Sequence, residues 1–208
     1  VIVRGDSSVT AIEETMPGTS GITRPIFYAG FFGSKPPSRS VLPDNQREVV
    51  VSAGGGFRPD DLIFYDSTIK ACSETDFNNR KWRIFVPPNC PEEIFGYIKR
   101  KAQDTVLKDD GEVNVTTNCQ HDQFRQQVAE SQLLVSQGGY NATLEAAVTE
   151  TPTIVIPALD EDDASLYNQQ EQVFRANRLA EMGLVHVVTP QDAANAEYFS
   201  KVINEVGN

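Results

Sequence analysis

The chain has 208 residues, with 18 Lys and Arg against 29 Asp and Glu, a net charge of −11. That balance opposes a nucleic-acid surface, where the phosphate backbone would be repelled, and opposes docking on an anionic leaflet through a basic face. With 39% hydrophobic and 23% charged residues the chain is in the globular range and long enough to bury a core without disulfide or metal. No apolar run nears the roughly 18 residues of a membrane span.

In chain order, Val1-Ile2-Val3 reads as a strand end closed by Gly5-Asp6, so the chain is expected to open in mid-fold, as a fragment would. Residues 7–47 are rich in Gly and Pro with little periodicity, and 34–45 read as a polar connector. Regular alternation begins near Arg47. An apolar run over 48–53 predicts a strand ending at Gly54-Gly55-Gly56, and 60–72 has helical spacing through Leu62, Ile63, Ile69 and Cys72. A strand at 82–86 is stopped by Pro87-Pro88. Pro91 then opens a helix with Glu92 and Glu93 first and Lys99, Arg100 and Lys101 near its end, which suits the helix dipole. A strand at 113–117, a helix at 122–131 buried through Phe124 and Val128, and a strand at 133–136 lead to Gly138-Gly139. A helix at 141–149, a strand at 153–157, a helix at 164–182 stopped by Gly183, a strand at 184–188 and a last helix at 190–206 complete the pattern. Strand and helix alternate six times, and the strands are continuously apolar. This predicts a doubly wound α/β domain with a mostly parallel, Rossmann-like sheet. Ligands of such sheets bind at the carboxyl ends of the strands, here the loops after Ala53, Val86, Thr117, Ser136 and Pro157.

Cys72, Cys90 and Cys119 are odd in number and widely spaced, so neither a zinc site nor a disulfide framework is expected, and a reducing compartment is. Asn114 and Asn141 fit the glycosylation acceptor pattern; both read as chance matches, the second in a turn expected to be buried. The acids Asp160, Glu161, Asp162 and Asp163 include an Asp-x-Asp but read as a solvated loop, and no metal site is expected. His121 at a helix entrance has two readings, one facing the cleft and one structural, and the structural one is favoured for a lone His so placed.

Two glycine turns carry the strongest signal. The first, Gly54-Gly55-Gly56, is not a Walker loop, because no Lys-Ser/Thr pair follows, and Pro59 occupies the third glycine position of a dinucleotide fingerprint. In the second, Gly138 and Gly139 let backbone approach a ligand closely while the next helix aims its free N–H groups at it. Asn141 and Thr143 add neutral donors, and no Lys or Arg occurs from Leu133 to Pro157. An anion held here is therefore expected to be held by amides, hydroxyls and the helix dipole. Glu145, one turn on, suits either that dipole or a pair of ribose hydroxyls.

Residues 136–157 together with Glu171-Gln172 resemble the nucleotide-sugar signature of GT-B glycosyltransferases, and in particular the C-terminal domain of glycosyltransferase family 28. Gly139-Tyr140-Asn141-Ala142-Thr143-Leu144-Glu145 is also similar to the box of plant secondary-product glucosyltransferases, with Gln137 where those enzymes have His. The likeness extends loosely over 47–188. It implies a donor-binding domain at 47–208 and, at 1–46, the end of a missing N-terminal acceptor domain with its linker. It further implies that Gly54, Gly55, Gly56, Gly138, Gly139, Asn141 and Thr143 hold the donor diphosphate, Glu145 the ribose, Asn118 and Cys119 the nucleobase, and Glu171 and Gln172 the transferred sugar.

The activity so implied is inverting transfer of a hexose from a UDP-sugar such as UDP-GlcNAc, without a metal and with no cofactor beyond the donor. The base is expected in the missing domain, leaving this chain able to bind donor weakly without turnover. Expected partners are the UDP-sugar and that domain, with no nucleic acid and no transmembrane segment. The expected location is the cytoplasm, or the inner membrane face as a peripheral protein. Two other functions suit the same fold: a UDP-sugar 2-epimerase, for which Glu171 alone is a poor set of carboxylates, and a non-catalytic UDP-sugar-binding subunit that needs a partner.

Overall fold

A six-stranded sheet organises the chain, and every neighbouring pair of its strands is parallel. The computed structural model describes residues 1–3, 5–15, 18–30, 37, 42–43, 46–117, 120–158 and 166–208. The strands are β3 (Val49–Ser52), β4 (Lys81–Val86), β5 (Glu112–Thr117), β6 (Leu133–Ser136), β7 (Thr153–Val155) and β8 (His186–Val187). Between and after them run α2 (Asp61–Cys72), α3 (Glu92–Gln103), α4 (His121–Glu130), α5 (Tyr140–Val148), α6 (Leu166–Glu181), α7 (Pro190–Ala194) and α8 (Ala196–Gly207). Ahead of the sheet, β1 (Ile2–Val3) and β2 (Phe27–Tyr28) form a separate parallel pair, and α1 (Ile12–Thr15) packs on α6. Among the described residues no helix is long and apolar enough to cross a membrane.

The period-two alternation of strand side chains explains why these strands carry no polar face. Val49, Val51, Trp82, Ile84, Val86, Leu133 and Val135 join one core with α2, α3, α7 and α8. Val50, Phe85 and Leu134 point the other way and meet Val128 of α4 and Ala146 of α5. Each central strand is thus buried on both sides. The exceptions are the two edge strands: β5 leaves Glu112, Asn114 and Thr117 exposed, and β8 leaves His186 exposed. Trp82, fully buried, donates its indole N–H to the Phe77 carbonyl at 3.1 Å.

Three sequence expectations are corrected. Ile63 is 57% exposed and not on the apolar face of α2. The buried stripe runs Asp61, Phe64, Tyr65, Thr68, Ile69, Cys72, a three-and-four spacing that passes Ile63 by. The strand expected at 184–188 shortens to β8, because Gly183 (φ +73°) closes α6 and commits the Leu184 N–H to the Leu179 carbonyl. The single helix expected at 190–206 is two. Asn195 turns extended between them (φ −83°, ψ 99°) and its side chain accepts from the Tyr198 N–H, capping α8.

Candidate functional site: twin glycine turns at the switch point

From β3 the chain winds outward through β4 to β5, then returns to β6 beside β3 and winds the other way to β8. The crevice above the carboxyl ends of β3 and β6 is therefore the topological switch point, where such sheets bind ligands. The two strands end in register, with Ser52 opposite Ser136. Both serines then build the same turn. The Ser52 hydroxyl accepts from the Gly54 N–H at 3.3 Å and the Ser136 hydroxyl from the Gly138 N–H at 3.2 Å. Gly54 (φ +114°) and Gly138 (φ +83°) both take left-handed backbone that favours glycine. The turns touch: a Cβ built on Gly139 would stand 3.8 Å from the Gly54 Cα. The sequence signal for this pairing is Ser-x-Gly repeated at the ends of two strands, a repeat that neither turn reveals when read alone.

Gly54, Gly55 and Asn141 line one cleft of about 190 Å³ with Ser52, His121, Phe124 and Ala142. Asn141 is exposed, which corrects the expectation of a buried turn. His121 lines the cleft with its side chain 58% exposed, so it is not the structural histidine expected of a helix entrance. Gly56 is exposed and outside this lining. Gly139 is the N-cap of α5 and offers no side chain to the first-turn N–H groups. Thr143 is buried, and its hydroxyl donates to the Gly139 carbonyl at 3.0 Å, bracing the turn from within the helix.

Charge is brought to the turns from distant elements. Glu145 is nearly buried, and its Oε2 lies 2.7 Å from Nε of Arg125 on α4, close as an ion pair although that N–H is not aligned for a hydrogen bond. Arg125 has only 6% of its side chain exposed. From α6, Arg175 donates to the Gly138 carbonyl at 2.7 Å and pairs with Glu171. The second turn thus has a cation on its backbone, which the local window from Leu133 to Pro157 did not reveal. Its signal was the four-residue spacing of Glu171 and Arg175. The Gln172 amide oxygen is buried without a hydrogen-bond partner among the described residues. Asn118 and Cys119, expected at the nucleobase, lie outside the described residues, as do the acids at 160–163.

Asp61 links the two turns. Its fully buried carboxylate accepts from the Arg58 N–H at 2.8 Å, and Arg58 Nη2 reaches Gln137 Oε1 at 3.4 Å. Burial raises the Asp61 carboxyl above its ordinary value, while the hydrogen bond from the Arg58 N–H and the Arg58 charge oppose the rise. The folded chain therefore binds this proton more tightly than the unfolded one. Ionised Asp61 is a cost in stability that grows as pH climbs from the ordinary 3.8 through the raised folded value. Urea denaturation across that window should show Asp61→Asn gaining on the parent as pH rises, by at most about 1.4 kcal/mol per pH unit, then levelling. A difference independent of pH would show that the carboxyl is not raised.

Three solved structures share this architecture. They are the calicheamicin glycosyltransferase CalG4 (17% identity, TM-score 0.59, covering 99% of this chain and 43% of that one), MurG of Acinetobacter baumannii (12%, 0.61, 88% and 48%) and Phytolacca americana UGT2, complexed with UDP-2fluoro-glucose and pterostilbene (14%, 0.53, 100% and 43%). The chain spans less than half the length of each. No curated protein matches its sequence. The family model for the glycosyltransferase family 28 C-terminal domain matches residues 93–203, more than half of the chain, from α3 through both cleft-lining helices to α8. By that match and by its parallel sheet, the chain belongs to glycosyltransferase family 28 and carries the C-terminal, Rossmann-like half of a GT-B glycosyltransferase.

Proposed function

We propose that this chain binds the donor of an inverting glycosyltransferase that moves a hexose from a UDP-sugar to an acceptor hydroxyl, without a metal or other cofactor. The observation that carries the reading is the contact of the two glycine turns over the switch point, Gly139 against Gly54. Two stretches of backbone approach there with no side chain between them, and the uncapped end of α5 faces the same crevice. Such a crevice suits a diphosphate held by N–H groups at a helix N-terminus. The family match supports glycosyl transfer, and the UDP-2fluoro-glucose bound to Phytolacca UGT2 supports a UDP-sugar as the donor.

In the proposed mechanism the acceptor oxygen attacks the anomeric carbon from the face opposite the nucleotide. The bond to the diphosphate breaks, and negative charge grows on the departing β-phosphate. The N–H groups of Gly139 and of the first turn of α5 stand preorganised for that charge, and the dipole of α5 adds to them. Gly54 and Gly55 close the opposite wall, with Asn141 and His121 at the rim. Glu145 accepts from the ribose diol, and Glu171 and Gln172 face the sugar. The base that takes the acceptor proton, and the acceptor itself, belong to an N-terminal domain for which residues 1–46 supply the end and the linker.

Calorimetric titration with UDP, UDP-GlcNAc, GDP-mannose and NAD tests this. UDP and UDP-GlcNAc should bind, GDP-mannose more weakly and NAD not at all, with the same affinity in EDTA. The chain alone should not consume UDP-GlcNAc over hours. Binding of NAD in preference to UDP, or loss of UDP binding in EDTA, would sink the reading.

A further inference from the structure

Arg175 is buried to 4% exposure, and a guanidinium so placed is costly unless its charge is paired and its donors are used. Both groups that satisfy it belong to the proposed donor pocket. One nitrogen donates to the Gly138 carbonyl at 2.7 Å, the other pairs with Glu171 one turn back on α6, and the guanidinium carbon lies 5.3 Å from the centre of the Tyr140 ring. The first bond has a geometric consequence. In a planar trans peptide the carbonyl of one residue and the N–H of the next point in opposite directions. Drawing the Gly138 oxygen toward α6 therefore turns the Gly139 N–H away from it. A Gly-Gly peptide rotates easily, and no side chain on either residue resists. A flipped peptide would present a carbonyl oxygen, repulsive to phosphate, in place of a donor.

We propose that Arg175 is a positioning residue: it fixes the 138–139 peptide with its N–H toward the donor diphosphate and, through the same fork, ties the sugar-facing Glu171 to that peptide. The inference rests on the donor-site reading above and deepens it, because it makes diphosphate and sugar recognition energetically coupled. Arginine suits the task because its rigid fork serves two acceptors at once, whereas a lysine ammonium is a point charge on a flexible stem.

The test is calorimetric titration of the whole chain with uridine, UDP and UDP-GlcNAc, for the parent, Arg175→Gln, Arg175→Lys, Glu171→Gln and the Arg175→Gln/Glu171→Gln pair. Arg175→Gln should weaken UDP about tenfold, the scale of one hydrogen bond from a charged group, and leave uridine, which lacks phosphate, unchanged. Arg175→Lys should restore UDP binding but not the added affinity of UDP-GlcNAc over UDP. Glu171→Gln should reduce that added affinity in the parent and have no effect in the Arg175→Gln background. If the parent binds UDP and Arg175→Gln binds it equally, the positioning role is wrong. Uridine and UDP affinities that fall together with thermal stability would likewise reduce Arg175 to a structural residue. A parent that binds none of the three ligands overturns the donor-site reading and this inference with it.

Discussion

Glu145→Ala should lose about 3 kcal/mol of stability as well as nucleotide binding, and the two losses should separate in a double variant. Glu145 and Arg125 have 11% and 6% of their side chains exposed and face each other at 2.7 Å. Removing the carboxylate takes the nearest counter-charge from a buried guanidinium and leaves it the exposed Asp122 carboxylate at 3.9 Å, and breaking a buried pair typically costs about 3–5 kcal/mol. For a chain of this size a loss of about 3 kcal/mol corresponds to roughly 6–12 °C in melting temperature. A simple loss of UDP binding in Glu145→Ala would therefore not distinguish a missing ribose contact from a loosened α4–α5 junction.

Replacing both members, Arg125→Met with Glu145→Leu, removes both charges and fills the space with apolar atoms of similar size. Such exchanges are often neutral or stabilising, so the double variant should melt within a few degrees of the parent. Ligand discrimination then isolates the ribose role. The parent should prefer UDP to 2′-deoxy-UDP about tenfold, the value of one hydrogen bond to a charged acceptor. The stable double variant should have lost that preference. If it still favours the ribonucleotide, Glu145 is a partner of Arg125 and nothing more.

This pair also marks the boundary of what is legible in the sequence. Central strands such as β3 and β6 are readable because a parallel sheet covered on both faces demands uninterrupted apolar runs, and Val49–Ser52 and Leu133–Ser136 supply them. The glycine turns are readable because only glycine suits backbone at φ +114° and +83° so close to a second chain segment. Arg125 and Arg175 are not, because each is brought to the second turn by another helix, and Asp61, although it closely follows the first turn, meets Gln137 of the second only through Arg58. In its own helical window each looks like an ordinary exposed charge. His121 misleads for the same reason: its neighbours in sequence say nothing of Gly54 and Gly55, more than sixty residues earlier, with which it shares a cleft. The break at Asn195 is hidden for a local reason, since Asn is tolerated within helices yet is among the strongest N-caps.

The largest effect on binding with the least effect on folding should come from Gly139. Its backbone is ordinary (φ −54°, ψ 132°), so a side chain there strains nothing within its own residue. An added Cβ finds the Gly54 Cα at 3.8 Å, ordinary van der Waals contact, and Gly139→Ala should therefore fold normally and lose only part of its UDP affinity. The branched methyls of Gly139→Val extend beyond that Cβ into the backbone of the facing turn and the crevice between. They push apart the two touching turns over which the diphosphate would rest, and UDP binding should fall at least a hundredfold, the equivalent of about 2.7 kcal/mol. Gly138 behaves differently. A Cβ at φ +83° is strained from the outset and meets the Val155 Cγ1 at 3.0 Å, so Gly138→Ala should cost about 1–2 kcal/mol of stability and disturb the carbonyl that Arg175 holds. Melting curves and UDP titrations on the three variants give the comparison. Unchanged UDP affinity in Gly139→Val would mean that no ligand rests against the joined turns, and the donor would have to be sought elsewhere on the sheet.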